Sequence, residues 1–242
     1  MSLEQIPNQA PKQEIKVQPK IEVEPNFDGF VPDEFKNDPL KYFEEKGTNI
    51  KPGETKYDET GRVREDPTAV KDLPVWKNKE GVELHTVGKR VNKEKGKIGE
   101  IRDPFYEYKV MEIIQELGLP CPRPVARVEQ GGNNLIVMER VHGIRWPDKD
   151  SLHLNEKGYS AEDIQGLISQ AEVMVRELHR KFEDAGISRD WKLKDMLFDI
   201  DIENKKINSI VPTDWERTTI NQEKLAQARA LKRQTKLDTE GP

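Results

Sequence analysis

Cysteine is what this chain has least of. Cys121 is the single one in 242 residues, so no intramolecular disulfide can form and no cysteine-based zinc site can be built. A reducing compartment is the default expectation. Long apolar runs are missing too: none exceeds a few residues, far short of the roughly 20 that span a bilayer. The opening residues, Met1-Ser-Leu-Glu-Gln-Ile-Pro7, carry neither the basic nor the apolar part of a secretory signal. Positive charge is not in excess, and a net charge of -5 with a pI of about 5.6 makes no case for nucleic-acid or anionic-membrane partners. No repeat of fixed period is present. These absences lead to the expectation of a soluble, cytoplasmic protein, with a signal-less secretion route left open.

Apolar residues are also scarce. They make up 34% of the chain against 35% charged residues, and the mean hydropathy of -0.86 implies that part of the sequence does not fold by itself. Residues 1–70 fit that part. Pro7, Pro11, Pro19, Pro25, Pro32, Pro39, Pro52 and Pro67 recur among Lys, Glu and Gln, which leaves little room for a helix. The expectation is a disordered tail. Two apolar islands interrupt it, Phe27 to Phe35 and Leu40 to Phe43; each could dock on the folded part or on a partner, or be isolated apolar residues.

From about Leu73 the texture changes. Val75-Trp76 and the alternation from Gly81 to Val91 suggest one or two strands, followed by a charged, flexible stretch from Asn92 to Arg102. Asp103-Pro104 opens a helix with Val110, Ile113, Ile114 and Leu117 on one face, ended by Gly118. Val125 to Val128 and Leu135 to Met138 read as two strands joined by Gln130-Gly-Gly-Asn-Asn134. Ser160 and Asp163 form a capping box for a long helix whose buried face runs from Ile164 to Phe182. Gly186 closes that helix. A hairpin follows, with strands Met196 to Ile202 and Ile207 to Val211, and a surface helix from about Gln222 to Lys236 ends the pattern.

Chemistry concentrates in Ser188-Arg189-Asp190-Trp191-Lys192-Leu193-Lys194-Asp195 and in Thr213-Asp214-Trp215-Glu216. An acid that accepts a hydroxyl proton, two acids that hold a hard cation, and a cation that steadies a moving phosphate are the parts phosphoryl transfer needs. In order and spacing, the region from Val82 to Thr219 resembles the protein-kinase-like superfamily. Arg189-Asp190 is similar to its catalytic-loop motif, with Lys192 where the family has a phosphate-contacting lysine and Asp195 where its metal-binding Asn is usual. Asp214 stands where the Asp-Phe-Gly segment has its metal ligand. Leu135 to Gly143 looks like the strand and hinge that meet adenine, with Met138 as gatekeeper and Glu139 and Val141 offering backbone groups. Val87-Gly88-Lys89 resembles the lysine-bearing strand. Glu107 is the better match to the helix glutamate that holds this lysine, and Glu112 the alternative.

The resemblance implies an α+β, two-lobed kinase-like fold over about 71–220, with an N-lobe of about 71–141, a reduced C-lobe of about 142–220, and a helix and tail over 221–242. It implies ATP as cofactor with magnesium or manganese. Asp195 in place of Asn adds a negative charge, which favours a metal and repels phosphate without one. Two departures matter. No Gly-rich loop precedes Lys89, so phosphates must be covered by another loop or poorly. Only Arg217 to Pro242 follow the second acidic segment, too few for a full kinase C-lobe. Three functions stay open: an atypical kinase acting on protein serine or threonine hydroxyls, a pseudokinase or nucleotide-binding interaction module without turnover, and a small-molecule phosphotransferase. The short Trp146 to Tyr159 segment argues against the third. The protein substrate is not legible.

Overall fold

The computed structural model describes residues 18–50, 56–57, 63–64, 70–91, 103–145, 158–201, 203–215 and 217–239. The first strand, β1 (Lys20–Val23), leads through a 3-10 turn at Pro25–Phe30 into two short helices, α1 (Asp33–Asn37) and α2 (Pro39–Lys46). Short strands follow: β2 (Thr48–Asn49), β3 (Lys56–Tyr57), β4 (Val63–Arg64), β5 (Val70–Asp72), β6 (Trp76–Lys77) and β7 (Glu83–Leu84). Then come β8 (Thr86–Val91), helix α3 (Tyr106–Leu117), β9 (Pro124–Gln130) and β10 (Asn133–Glu139). The remainder is β11 (Ile144–Arg145), α4 (Ala161–Asp184), β12 (Ile187–Ser188), β13 (Met196–Asp201), β14 (Lys206–Pro212), β15 (Thr219–Ile220) and α5 (Gln222–Thr239).

The fold mixes helix and antiparallel sheet. Its main sheet has six strands in the order β1-β9-β10-β8-β5-β2, every neighbouring pair antiparallel. Both faces are covered, which explains why Leu135 to Met138 is an unbroken apolar run rather than an alternating one. Leu135 and Val137 point into one core with Phe35, Phe43 and Trp76. Ile136 and Met138 point into another with α3, α4 and the β13–β14 hairpin.

The first core corrects the expected tail. Within 1–70, residues 18–50 are folded: β1 pairs with β9 in the register Lys20↔Glu129 to Val23↔Ala126, and Phe35 and Phe43 are fully buried. Both apolar islands dock on the sheet. Phe35 meets Trp76 at 5.1 Å between ring centroids and Tyr42 at 5.6 Å. The prolines break nothing here, because Pro25 and Pro39 sit in first turns, where a missing N–H is no loss. Of the remaining residues of that span, 1–17, 51–55, 58–62 and 65–69 lie outside the described residues, as does the charged stretch 92–102.

α3 ends at Gly118, whose φ of 73° supplies the left-handed turn a side chain would resist. α4 starts with the full capping box: Ser160 Oγ accepts from the Asp163 amide at 3.1 Å, and Asp163 accepts from the Ser160 amide at 2.9 Å. Lys205 donates to the same carboxylate at 2.7 Å; this and the Ser160 bonds pull the Asp163 carboxyl down to about 2. Leu167, Ala171, Leu178 and Phe182 form the buried stripe of α4. At Gly186 (φ 79°) a Cβ would lie 2.7 Å from the Asn221 carbonyl oxygen, so only glycine lets β12 pair with β15 under α5. No helix among the described residues is long and apolar enough to cross a membrane.

Candidate nucleotide and phosphoryl-transfer site

On β8 the side chains alternate between the two cores. Gly88 lies against Phe43 on the first-core side, so Lys89 faces α3. Glu107 sits in the first turn of α3 on its buried stripe with Val110, Met111 and Ile114. Lys89 Nζ donates to Glu107 Oε2 at 2.7 Å, with side chains 11% and 3% exposed. The second oxygen, Oε1, accepts the Trp215 amide at 3.3 Å. A desolvated pair of this kind holds only when its remaining lone pairs are used, and Trp215 uses one. Glu112 lies elsewhere, in contact with Glu24. The Trp215 amide carries no sequence signal, since any residue after Asp214 would supply one.

The loop after β12 alternates in a second way. The Arg189 side chain is 5% exposed, Asp190 is exposed, Trp191 is buried and Lys192 is exposed. Trp191 is pinned by aromatic neighbours: Phe182 at 4.7 Å, His179 at 5.1 Å and Trp215 at 5.4 Å between ring centroids. Driving Trp191 inward leaves Asp190 and Lys192 on the outer side of the loop. The two tryptophans therefore pack on each other and fill the core at once.

Asp195 closes a 3-10 turn, its carboxylate accepting the Lys192 amide at 3.1 Å and its amide donating to the Lys192 carbonyl at 2.8 Å. The Thr213 amide and hydroxyl both donate to the Asp195 carbonyl, at 2.9 and 3.1 Å. This bond brings Asp195 and Asp214 to the same end of the β13–β14 hairpin. Asp214 is half-exposed and pairs with Arg189, Nη2 to Oδ2, at 2.7 Å. The other two guanidinium nitrogens of Arg189, Nε and Nη1, are buried without a hydrogen bond. Among the described residues no group of three or more His, Cys, Asp or Glu side chains could hold a metal ion. Asp195 and Asp214, near one end of the hairpin, are the residues of this region that could contribute hard oxygens to a cation. The Arg189 guanidinium competes for one of them.

At the end of β10, Met138 is buried in the core shared with α3. The Glu139 amide donates to the Arg123 carbonyl at 2.8 Å, and its side chain pairs with the Arg123 guanidinium. Arg140 donates its amide to the His85 carbonyl at 2.9 Å. Val141, two residues beyond Glu139, is half-buried. On the other side of the lysine strand, β5 and β2 extend the sheet, pairing Val70 with Lys89 and Thr48 with Asp72. These strands were missed in the sequence because two or three residues carry no measurable alternation.

No family model and no curated protein matches this sequence. Among solved structures, the chain is similar to the crystal structure of Rad53 1-466 in complex with AMP-PNP. Identity is 20% with a TM-score of 0.40, over 76% of this chain and 43% of that chain. The chain thus spans less than half the length of that neighbour.

Proposed function

We propose that this chain binds a nucleoside triphosphate in a two-lobed, kinase-like cleft and transfers its γ-phosphoryl group to a protein serine or threonine hydroxyl with magnesium or manganese. One observation carries the reading: Glu107 is bonded at once to Lys89 and to the Trp215 amide, next to Asp214. Three segments far apart in sequence meet at one carboxylate, and they are the three that phosphate and metal binding require. An ammonium so placed would contact phosphate oxygens, and Glu107 holds it in position.

Metal-bound ATP would supply the phosphoryl group. Asp214 and Asp195 would hold the metal, Lys89 the phosphates, Met138 and the backbone at Glu139 and Val141 the base. Because the Glu139 amide is committed to Arg123, that residue's part falls to its carbonyl. Asp190, exposed on the outer side of its loop, would orient an acceptor hydroxyl and take its proton, and Lys192 would sit beside the developing charge. Arg189 acts from beneath, as the cation held against Asp214.

A specific observation favours a second reading, nucleotide binding without turnover. Asp195 spends its carboxylate on a turn, and Asp214 spends an oxygen on Arg189. The two readings separate by transfer of labelled γ-phosphate from ATP with magnesium or manganese, with Asp190→Ala and Asp214→Ala alongside. Transfer lost in both variants supports the kinase. A melting point raised by metal–ATP with no transfer to the chain itself or to generic acceptors supports the second reading. If neither nucleotide nor metal changes stability, both readings fall.

A further inference from the structure

The folded N-terminal segment touches the chain neighbours of both members of the Lys89–Glu107 pair. Lys89 lies between Gly88 and Arg90. Phe43 from α2 lies against Gly88 so closely that a Cβ there would come within 2.7 Å of the ring. Glu44, the next residue, pairs with Arg90 and also accepts from Lys71 Nζ at 3.0 Å. Lys71 and Arg90 both stand over the Phe43 ring, 4.9 and 5.7 Å from its centroid. The lysine strand is thus gripped on its far face at the two positions flanking Lys89.

Glu107 is gripped in the same manner. Its neighbour Tyr108 donates its hydroxyl to Glu24 Oε1 at 2.9 Å, and Glu24 is fixed by its own amide on the Val125 carbonyl at 2.9 Å. Arg127 pairs with Glu22 of β1 and stands 5.8 Å from the ring centroids of both Phe105 and Tyr108. The start of α3 is therefore tied to β1 through one hydrogen bond and one shared arginine. The structure has the α3 glutamate in reach of the strand lysine. Contacts made in that arrangement favour it over any in which the two stand apart.

We infer that the segment 18–50 is a positioning element for the Lys89–Glu107 pair, with Glu24, Phe43 and Glu44 as its positioning residues. This rests on reading that pair as part of a nucleotide site. The segment sets the strand with one end and the helix with the other, so its release would open the pair without touching any residue of the site.

The test uses the full chain with Mg·ADP as probe. Calorimetry reads affinity, and hydrogen exchange reads the amides of α3, with those of α4 as control. Tyr108→Phe removes only the hydroxyl. It is expected to weaken Mg·ADP by roughly threefold to tenfold, the worth of one hydrogen bond, and to speed exchange in α3 but not in α4. Gly88→Ala should displace Phe43 with a similar or larger loss, and adding Phe43→Leu should recover most of it by removing the clash. Affinity recovered in the double variant, with α4 exchange unchanged throughout, ties the loss to the Phe43 contact and not to general loosening. Wild-type α3 exchange and affinity in both Tyr108→Phe and Gly88→Ala would overturn the inference, as would α3 and α4 loosening together. If the wild type binds no Mg·ADP while α3 exchange still responds to Tyr108→Phe, the nucleotide reading fails and the positioning stands.

Discussion

The Lys89 ammonium donates to the Glu107 carboxylate across 2.7 Å, and neither side chain is more than 11% exposed. A pair so far from water is costly to break and cheap to replace. Removing one partner leaves a buried charge uncompensated, and the loss is about 3–5 kcal/mol. Lys89→Met and Glu107→Leu should each lower stability on that scale in urea unfolding. Combined, they should recover part of it, because two apolar groups leave no charge behind while the Trp215 amide still loses its acceptor. Metal–ATP should fail to raise the melting point of either single variant or of the double variant. A double variant that still responds to metal–ATP would remove the pair from the site.

Arg189 and Asp214 make the opposite kind of pair, since one member is buried and the other half-exposed. The guanidinium holds an oxygen that a cation would need. Arg189→Met should therefore raise the affinity for Mn²⁺, read by calorimetry in the absence of nucleotide, and Asp214→Asn should abolish it. Stability should fall by about 1–2 kcal/mol in Asp214→Asn, a figure reduced for the water around that carboxylate. Weaker Mn²⁺ binding in Arg189→Met would mean that the arginine supports the acid rather than blocking it.

The elements with a sustained period were readable in advance. α3 and α4 carry apolar stripes over three or more turns, and Gly118, Ser160 and Asp163 mark their ends by backbone conformation and capping, which are local effects. β9, β10 and the β13–β14 hairpin are long enough for their pattern to register. Residues 18–50 were not readable, because no stretch there has the length to bury a face by itself. Phe27, Phe35 and Phe43 are single apolar residues in charged surroundings, and what makes them core is the sheet face they cover. Composition describes the segment, while burial belongs to the assembly. The candidate site divides the same way. Asp190, Asp195 and Asp214 are singled out by spacing alone, whereas the Trp215 amide and the Arg189 contact depend on how two loops approach.

Phe35 tests that burial. Its ring is fully buried between Tyr42 and Trp76. Phe35→Ala removes it from a closed core, and the expected loss is about 3–5 kcal/mol. Urea unfolding followed by tryptophan fluorescence should show the midpoint falling in a single transition. An unchanged midpoint would make 18–50 a dispensable attachment.

Glu112 gives stability a dependence on pH. Burial raises its carboxyl pKa above the ordinary 4.5, and the hydrogen bond and charge of Glu24 raise it further, against the pull of Arg127 and Lys109. The folded chain therefore keeps a proton that the unfolded chain has already released. Stability from this group is complete below 4.5 and is lost as pH rises through the folded value, since over that window the folded state binds more protons. Glu112→Gln keeps a neutral group of the same shape beside Glu24 and removes the dependence. Urea midpoints measured between about pH 4 and pH 7 should show the variant gaining on the wild type as pH rises. The side chain is only partly buried, so the gain should be modest. A difference that stays flat over that range would mean that Glu112 does not carry a proton in the folded chain, and that β1 and α3 meet there with two charged carboxylates side by side.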